Sequence, residues 1–239
     1  MKQREAEDRE WAAPPRPEGP KVVAVWGGKG GIGKSTDAFL AAFMLGQLGP
    51  TLLINADMKQ EDGGVTELTK SLKVPAPYEL TETDSVAELG NIRKLAQFRY
   101  VVTDNAPHRD ESKLREAAKA DLTVVPAPPR RLDSKAVMAS TRQYLAGTNF
   151  RIHLTMVKHT DKPRARAMKT SLQDLGIPVF DGWMRMYNAH ENLNGLSVFH
   201  NAHEDDQAKK ATEDAYMFGN EILAALNEPF TVPEVIPAR

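Results

Sequence analysis

The sequence predicts an α/β fold, a mostly parallel twisted sheet with helices on both faces. Three observations lead there. Short β-branched runs alternate with helical patterns, as crossover connections between parallel strands require. A glycine-rich turn joins the first run directly to a helical stretch. The 239 residues, 41% of them hydrophobic, suffice for one medium domain with a buried core.

Met1 to Pro20 carry five acidic residues, four basic residues and four prolines, and read as a flexible N-terminal arm, residues 1–20. Strand candidates then follow in order: VVAVW from Val22, TLLINA from Thr51, YVVTD from Tyr100, LTVVP from Leu122, IHLTMV from Ile152 and VFDGWM from Val179. Helical patterns cover Ser35–Leu48, Val86–Gln97, Lys113–Lys119, Ser134–Leu145, Arg164–Leu175 and Asp205–Leu226. No repeat or linker interrupts residues 21–226, which read as one domain. The tail, 227–239, has three prolines and reads as irregular.

Composition narrows the chemistry. The chain has no cysteine, which excludes a disulfide, a thiolate zinc site, a thiolate-held iron-sulfur cluster and a cysteine nucleophile. No stretch approaches a membrane span and the first residues are charged, so a cytoplasmic location is expected. The net charge of -1 argues against a constitutively polyanion-coated protein. His190, His200 and His203 precede an acidic run but fit no zinc spacing.

The strand VVAVW runs into Gly27, Gly28, Lys29, Gly30, Gly31, Ile32, Gly33, Lys34, Ser35 and Thr36. Gly28 to Ser35 fits G-x-x-x-x-G-K-[ST] in the strand-loop-helix setting that this phosphate loop needs. Glycines turn successive backbone N–H groups inward at a helix N-terminus, a nest for a polyphosphate. Lys34 is placed to neutralise the β and γ oxygens, Ser35 to ligate Mg2+, and Thr36 to reach the α-phosphate. Gly28, Gly30 and Gly33 also spell the dinucleotide fingerprint, with Asp57 about 24 residues on. Lys34 and Ser35 decide against it, because a dinucleotide-binding helix has no use for an ammonium in its first turn.

A phosphoryl-transfer site needs further acids at neighbouring strand ends. FRYVVTDNAP ends a strand on Asp104, placed to hold the metal through water, with Asn105, Ala106 and Pro107 leaving towards the γ-phosphate. Asp57 ends TLLINAD, where it would orient the attacking water. Either carboxylate has a plainer alternative as a turn or helix cap.

These residues resemble the deviant Walker A ATPases of the ParA and MinD group, whose signature K-G-G-x-G-K-[ST]-[ST] stands here as KGGIGKST, Lys29 to Thr36. The resemblance spans roughly 21–226: LLINAD is similar to the family's LLIDADPQ, YVVTDNAP to YIIIDTPP, and AKADLTVVPAPPRRLD to AADLVIVPVQPEPLD. LTMVKHTDKPRAR and MYNAHENLNGLSVF look like the ParA segments around the sixth strand. The resemblance implies a P-loop NTPase-like fold, ATP and Mg2+ as cofactors, and ATP hydrolysis that is slow without a partner. It also implies a homodimer formed on ATP binding, in which Lys29 reaches the other subunit's phosphates in the manner of an arginine finger. Asp57 occupies the position of the family's hydrolytic aspartate. The family's first acid is Asn55 here, and its Pro-Gln is Met58 and Lys59. Gly27 and Gly28 match the GKGG of MinD and of the nitrogenase iron protein, but the cluster that the latter holds needs cysteines.

Within the group, a MinD-like membrane regulator would end in a basic amphipathic helix, whereas this chain ends NEPFTVPEVIPAR, so no membrane partner is expected. From Arg151 to Arg185 seven cations face three acids, and from Met186 to Glu228 two lysines face eight acids. The first segment offers Lys158, Arg164, Arg166, Lys169 and Arg185 as contacts to double-stranded DNA, binding phosphates without reading bases. Arg166 and Lys169 share a helix face, which alternatively is only solvated. The expectation is a nucleoid-associated DNA-partitioning ATPase released by hydrolysis that a ParB-like centromere-binding protein stimulates. The arm is too short for a helix-turn-helix domain. The alternatives are a nucleotide-switched positioning protein for a protein cargo and a MinD-like membrane-associated regulator.

Overall fold

The computed structural model describes residues 19–57, 64–72, 75–106, 117–130, 137, 139, 141–186, 206–229 and 231. Their strands form one seven-stranded sheet. The elements run β1 (Lys21–Val25), α1 (Lys34–Gly46), β2 (Thr51–Ala56), α2 (Val65–Lys70), β3 (Glu79–Glu82), α3 (Val86–Leu89) and a 3-10 turn (Ile92–Lys94). They continue with β4 (Tyr100–Asn105), β5 (Leu122–Ala127), β6 (Phe150–Val157), a 3-10 turn (His159–Asp161), α4 (Lys162–Asp174), β7 (Val179–Arg185) and α5 (Asp206–Ala225).

The strand order is β3-β2-β4-β1-β5-β6-β7, and every pairing is parallel. Parallel strands bury both faces, and the alternation of side chains divides the core accordingly. Val23, Val25, Leu53, Val102 and Val124 pack with Phe39, Phe43, Met44, Phe218 and Ile222 of α1 and α5 on one face. On the other, Ile152 and Leu154 meet Ala165 and Leu172 of α4, while Val22, Leu52 and Ile54 meet Leu89 and Ile92. Central β1 lies between β4 and β5, where the chain passes from one half of the sheet to the other. In open parallel sheets that switch point is where ligands sit, at the strands' carboxyl ends.

Three elements depart from the sequence-based expectation. The helix expected over Val86–Gln97 is a single turn, α3, followed by the 3-10 turn, with Gly90 and Asn91 between them. Neither β3 nor α2 was expected. The β3 sequence ELTE is an edge strand with largely exposed side chains, so it lacks the apolar alternation that marks a half-buried strand. In α2 only Val65 is buried, too little for a helical period to show. Of the helix expected over 134–145, residues 137, 139 and 141–144 are helical, while the helix expected over 113–119 lies mostly outside the described residues, as do the arm, the tail, Met58, Lys59, His190, His200 and His203.

The β6-β7 pairing is irregular, shifting register between Ile152 and Leu154 and again between Leu154 and Val157. Met156 takes the left-handed region with φ 53°, unusual for a residue with a side chain. On β7 the bulged backbone is held by Glu221 of α5, whose carboxylate accepts from the N–H groups of Asp181 and Gly182. A side chain at 182 would strike the sulfur of Met217, which passes 2.5 Å from where its Cβ would lie.

Candidate nucleotide site

Parallel register sets the site. Val25 pairs with Asp104, and Asp104 pairs with Asn55, so the phosphate loop and the ends of β4 and β2 leave the sheet at one level. Gly31 and Gly33 have φ of 68° and 97°, and Gly33 is the N-cap of α1. Those two values are the left-handed region that glycine reaches without steric cost. A Cβ at Gly27 would come within 2.4 Å of Ile32 Cδ1, so a side chain there would require Ile32 to turn aside. Gly28, Lys29, Gly30 and Gly31 are exposed on the loop's crest, whereas Ile32 is buried beneath it.

The loop is anchored from β6. Thr155 donates from Oγ1 to the Ile32 carbonyl at 2.8 Å, and its side chain flanks Gly33. Beneath α1, the fully buried Asp37 meets His153 Nδ1 at 2.8 Å, and the His153 ring stacks on Phe218 with centroids 4.2 Å apart. Burial raises the Asp37 carboxyl above its ordinary range, and His153 opposes the shift. The sequence reading missed Thr155, Asp37 and His153. An acid at the end of the first turn, directly before the apolar run Ala38–Leu45, was the only signal available for any of them.

Lys34 is buried and donates to the Lys29 carbonyl at 3.4 Å. Desolvation lowers its pKa, while the nearby Asp104 and Asp57 carboxylates favour its charge. Asp104 is pushed up to about 6, chiefly by burial, with the Ser35 hydroxyl and Lys34 acting against the shift. Neither Asp104 oxygen has a hydrogen-bond partner of full geometry among the described residues. A buried carboxylate left with open acceptor positions beside a hydroxyl and an ammonium suits a hydrated cation on a polyphosphate. Asp57 is half-buried, with its backbone N–H held by Asn55 Oδ1 at 3.0 Å. Asn105 turns its amide inward, donating to the Val25 carbonyl at 3.0 Å and to Thr103 Oγ1 at 2.8 Å.

The basic residues divide into two sets. Lys158, Arg164 and Arg166 are exposed where β6 passes into α4, at the phosphate-loop end of the sheet. Lys169 instead reaches Asp181 Oδ1 at 2.8 Å, and Arg185 meets the Asp214 carboxylate at 2.7 Å. Asp214 also accepts from the Arg185 backbone N–H, so that arginine closes β7 onto α5. Arg164 lies 3.4 Å from Asp161 while remaining largely exposed.

The sheet order, the glycine loop and the lysine at the start of α1 define a P-loop nucleoside triphosphatase. No family model matches the chain. It is 32% identical to the maintenance of carboxysome distribution protein A of Gloeobacter kilaueensis over 184 residues, 75% of this chain and 84% of that protein. It is 31% identical to the protein of the same name from Halothiobacillus neapolitanus over 196 residues, 74% of this chain and 86% of that one. The chain belongs to the ParA family, the ParA and MinD group of deviant Walker A ATPases. Solved structures agree on the fold. An ATP complex of an aspartate-to-alanine variant of Cyanothece McdA superposes with a TM-score of 0.61 at 16% identity, covering 91% of this chain and 100% of that one. Aquifex aeolicus MinD gives 0.65 at 14% identity, covering 89% and 100%. A plasmid partition protein of Borrelia burgdorferi bound to AMPPNP gives 0.58 at 17%, covering 86% and 99%. Among the described residues no helix is long and apolar enough to cross a membrane.

Proposed function

We propose that this chain is an ATP-switched positioning ATPase whose cargo is a protein assembly, of the kind named for its carboxysome-distributing relatives. The observation that favours this over DNA partitioning is the 32% identity to such a relative over 75% of the chain. The expectation of a centromere-binding partner is thereby replaced by a cargo adaptor.

In this reading the loop N–H groups from Gly28 to Thr36 and the Lys34 ammonium hold the triphosphate of ATP. Ser35 would ligate Mg2+, and Asp104 would hold it through water. The bound ion would supply charge neutralisation between the β and γ oxygens. Asp57 orients the attacking water, and hydrolysis is slow until a partner completes the site. Lys29, on the exposed crest, reaches the phosphates of a second copy and makes the dimer depend on ATP. Lys158, Arg164 and Arg166 supply a sequence-independent phosphate-binding surface that doubles on dimerisation, so DNA serves as the track along which cargo is spaced.

Disrupting the gene in its host tests the assignment. A protein assembly that loses its regular spacing while replicon inheritance stays normal is the expected result. Loss of a plasmid or chromosome with every assembly still in place contradicts it and restores the partitioning reading.

A further inference from the structure

We propose that Asn55 is a positioning residue for Asp57, held in a single orientation by a relay through Thr66 and Glu82. The proposal rests on the reading of Asp57 as the group that orients water. Asn55 is 8% exposed at the end of β2, and its carboxamide makes two bonds of opposite sense. Oδ1 accepts from the Asp57 backbone N–H at 3.0 Å, and Nδ2 donates to Thr66 Oγ1 at 3.0 Å. A backbone N–H can only donate, so the Asp57 contact decides which end of the amide is oxygen. The Thr66 hydroxyl, already accepting from Asn55, turns its own proton to Glu82 Oε1 at 2.5 Å. Register supports the arrangement, because Glu82 is the direct β3 neighbour of Asn55 and the Thr83 N–H donates to the Asn55 carbonyl at 3.0 Å.

The relay has one polarity. A carboxylate at position 55 has no donor, so the Thr66 proton is claimed by two acceptors, and a buried charge faces Glu82 across one hydroxyl. The bonds that set the Asp57 backbone then loosen. The polarity can be reversed as a whole: in N55D/E82Q the introduced amide donates to Thr66 Oγ1, the Thr66 proton goes to the introduced carboxylate, and that group's second oxygen accepts from the Asp57 N–H. Asn55 and Glu82 therefore act as a matched pair.

The test is steady-state ATP hydrolysis by the full chain with Mg-ATP, alongside binding of a fluorescent ATP analogue. N55D is expected to lower kcat about tenfold with KM within about twofold, because the misplaced group acts after substrate binds. T66V, which removes the relay hydroxyl without adding charge, is expected to do the same, so the proposal stays testable if N55D folds poorly. E82Q alone should have the smaller effect, since its amide oxygen still accepts from Thr66. N55D/E82Q is expected to return to within about threefold of the parent. Parent-like kcat in both N55D and T66V overturns the proposal, as does a double variant that binds the analogue yet is no faster than N55D. If D57N keeps full kcat, the water-orienting reading itself fails and this inference falls with it. If D57N is inactive while N55D and T66V are not, the positioning role alone is wrong.

Discussion

His153 on β6 and Asp37 in the first turn of α1 form a buried pair, 2.8 Å apart, with side chains 2% and 1% exposed. Asp37 Oδ1 has no partner among the described residues, so the His153 contact at Oδ2 is what offsets the carboxyl's burial. His153→Ala therefore leaves an uncompensated buried acid and strips a ring from Phe218. It should lower the unfolding free energy by about 3–5 kcal/mol in urea denaturation. Asp37→Ala with His153→Phe should recover much of that loss, because the pair is removed together and the stack on Phe218 is kept.

Asp104 gives the site a pH dependence of defined sign. Its ordinary value of 3.8 is raised to about 6 in the folded protein, mainly by desolvation. Between those values the native state holds a proton that the unfolded chain has lost, so this group's contribution makes stability fall as pH rises through the window and level off above it. A shift of about two units corresponds to about 3 kcal/mol. Asp104→Asn should flatten that slope in denaturation curves taken from pH 4 to 7 and raise stability at pH 7. Affinity for Mg-ATP should move oppositely in the parent protein, rising with pH as the carboxylate ionises, and should be lost in the variant.

Thr155→Val keeps the shape beside Gly33 and deletes the donor to the Ile32 carbonyl. The stability cost should be about 1 kcal/mol, while ATP affinity falls several-fold because the loop N–H groups are no longer fixed. Isothermal titration with ATP and Mg2+ against a urea curve separates the two effects.

The two classes of arginine should separate in the same way. Arg185→Ala removes the cation that holds Asp214, whose side chain is 8% exposed, so it should cost stability of about 3 kcal/mol. Arg166→Ala, on the exposed face, should leave stability within about 0.5 kcal/mol. It should weaken ATP-dependent binding of a random-sequence duplex and lower the salt slope by about 1. Fluorescence anisotropy across a salt series reads both.

Much of this arrangement was legible in the residues. The phosphate loop is a local object, and its glycines, Lys34 and Ser35 sit at fixed spacing, so the motif specified the turn that Gly31 and Gly33 adopt. Asp104 and Asp57 were legible because each ends an apolar run. What escaped the sequence depends on tertiary pairing. The β3 strand, with its exposed glutamates, reads as a loop until it is laid beside β2, and Thr66 gains a role only when α2 packs over Asn55. Arg185 carries the same charge as Arg166 in the sequence, and only the fold turns one towards Asp214 and the other to solvent. The Asp37–His153 pair joins residues 116 positions apart, a separation at which no local pattern speaks.

The proposed switch requires that ATP make this chain a dimer through Lys29. Sedimentation equilibrium of the Asp57→Ala chain with Mg-ATP, with Mg-ADP and without nucleotide tests it most directly, because slowed hydrolysis preserves the ATP state. The expected result is a dimer with ATP, a monomer in the other two conditions, and a monomer in all three once Lys29→Ala is added. A single mass in every nucleotide state, or an ATP dimer that persists without Lys29, would contradict it.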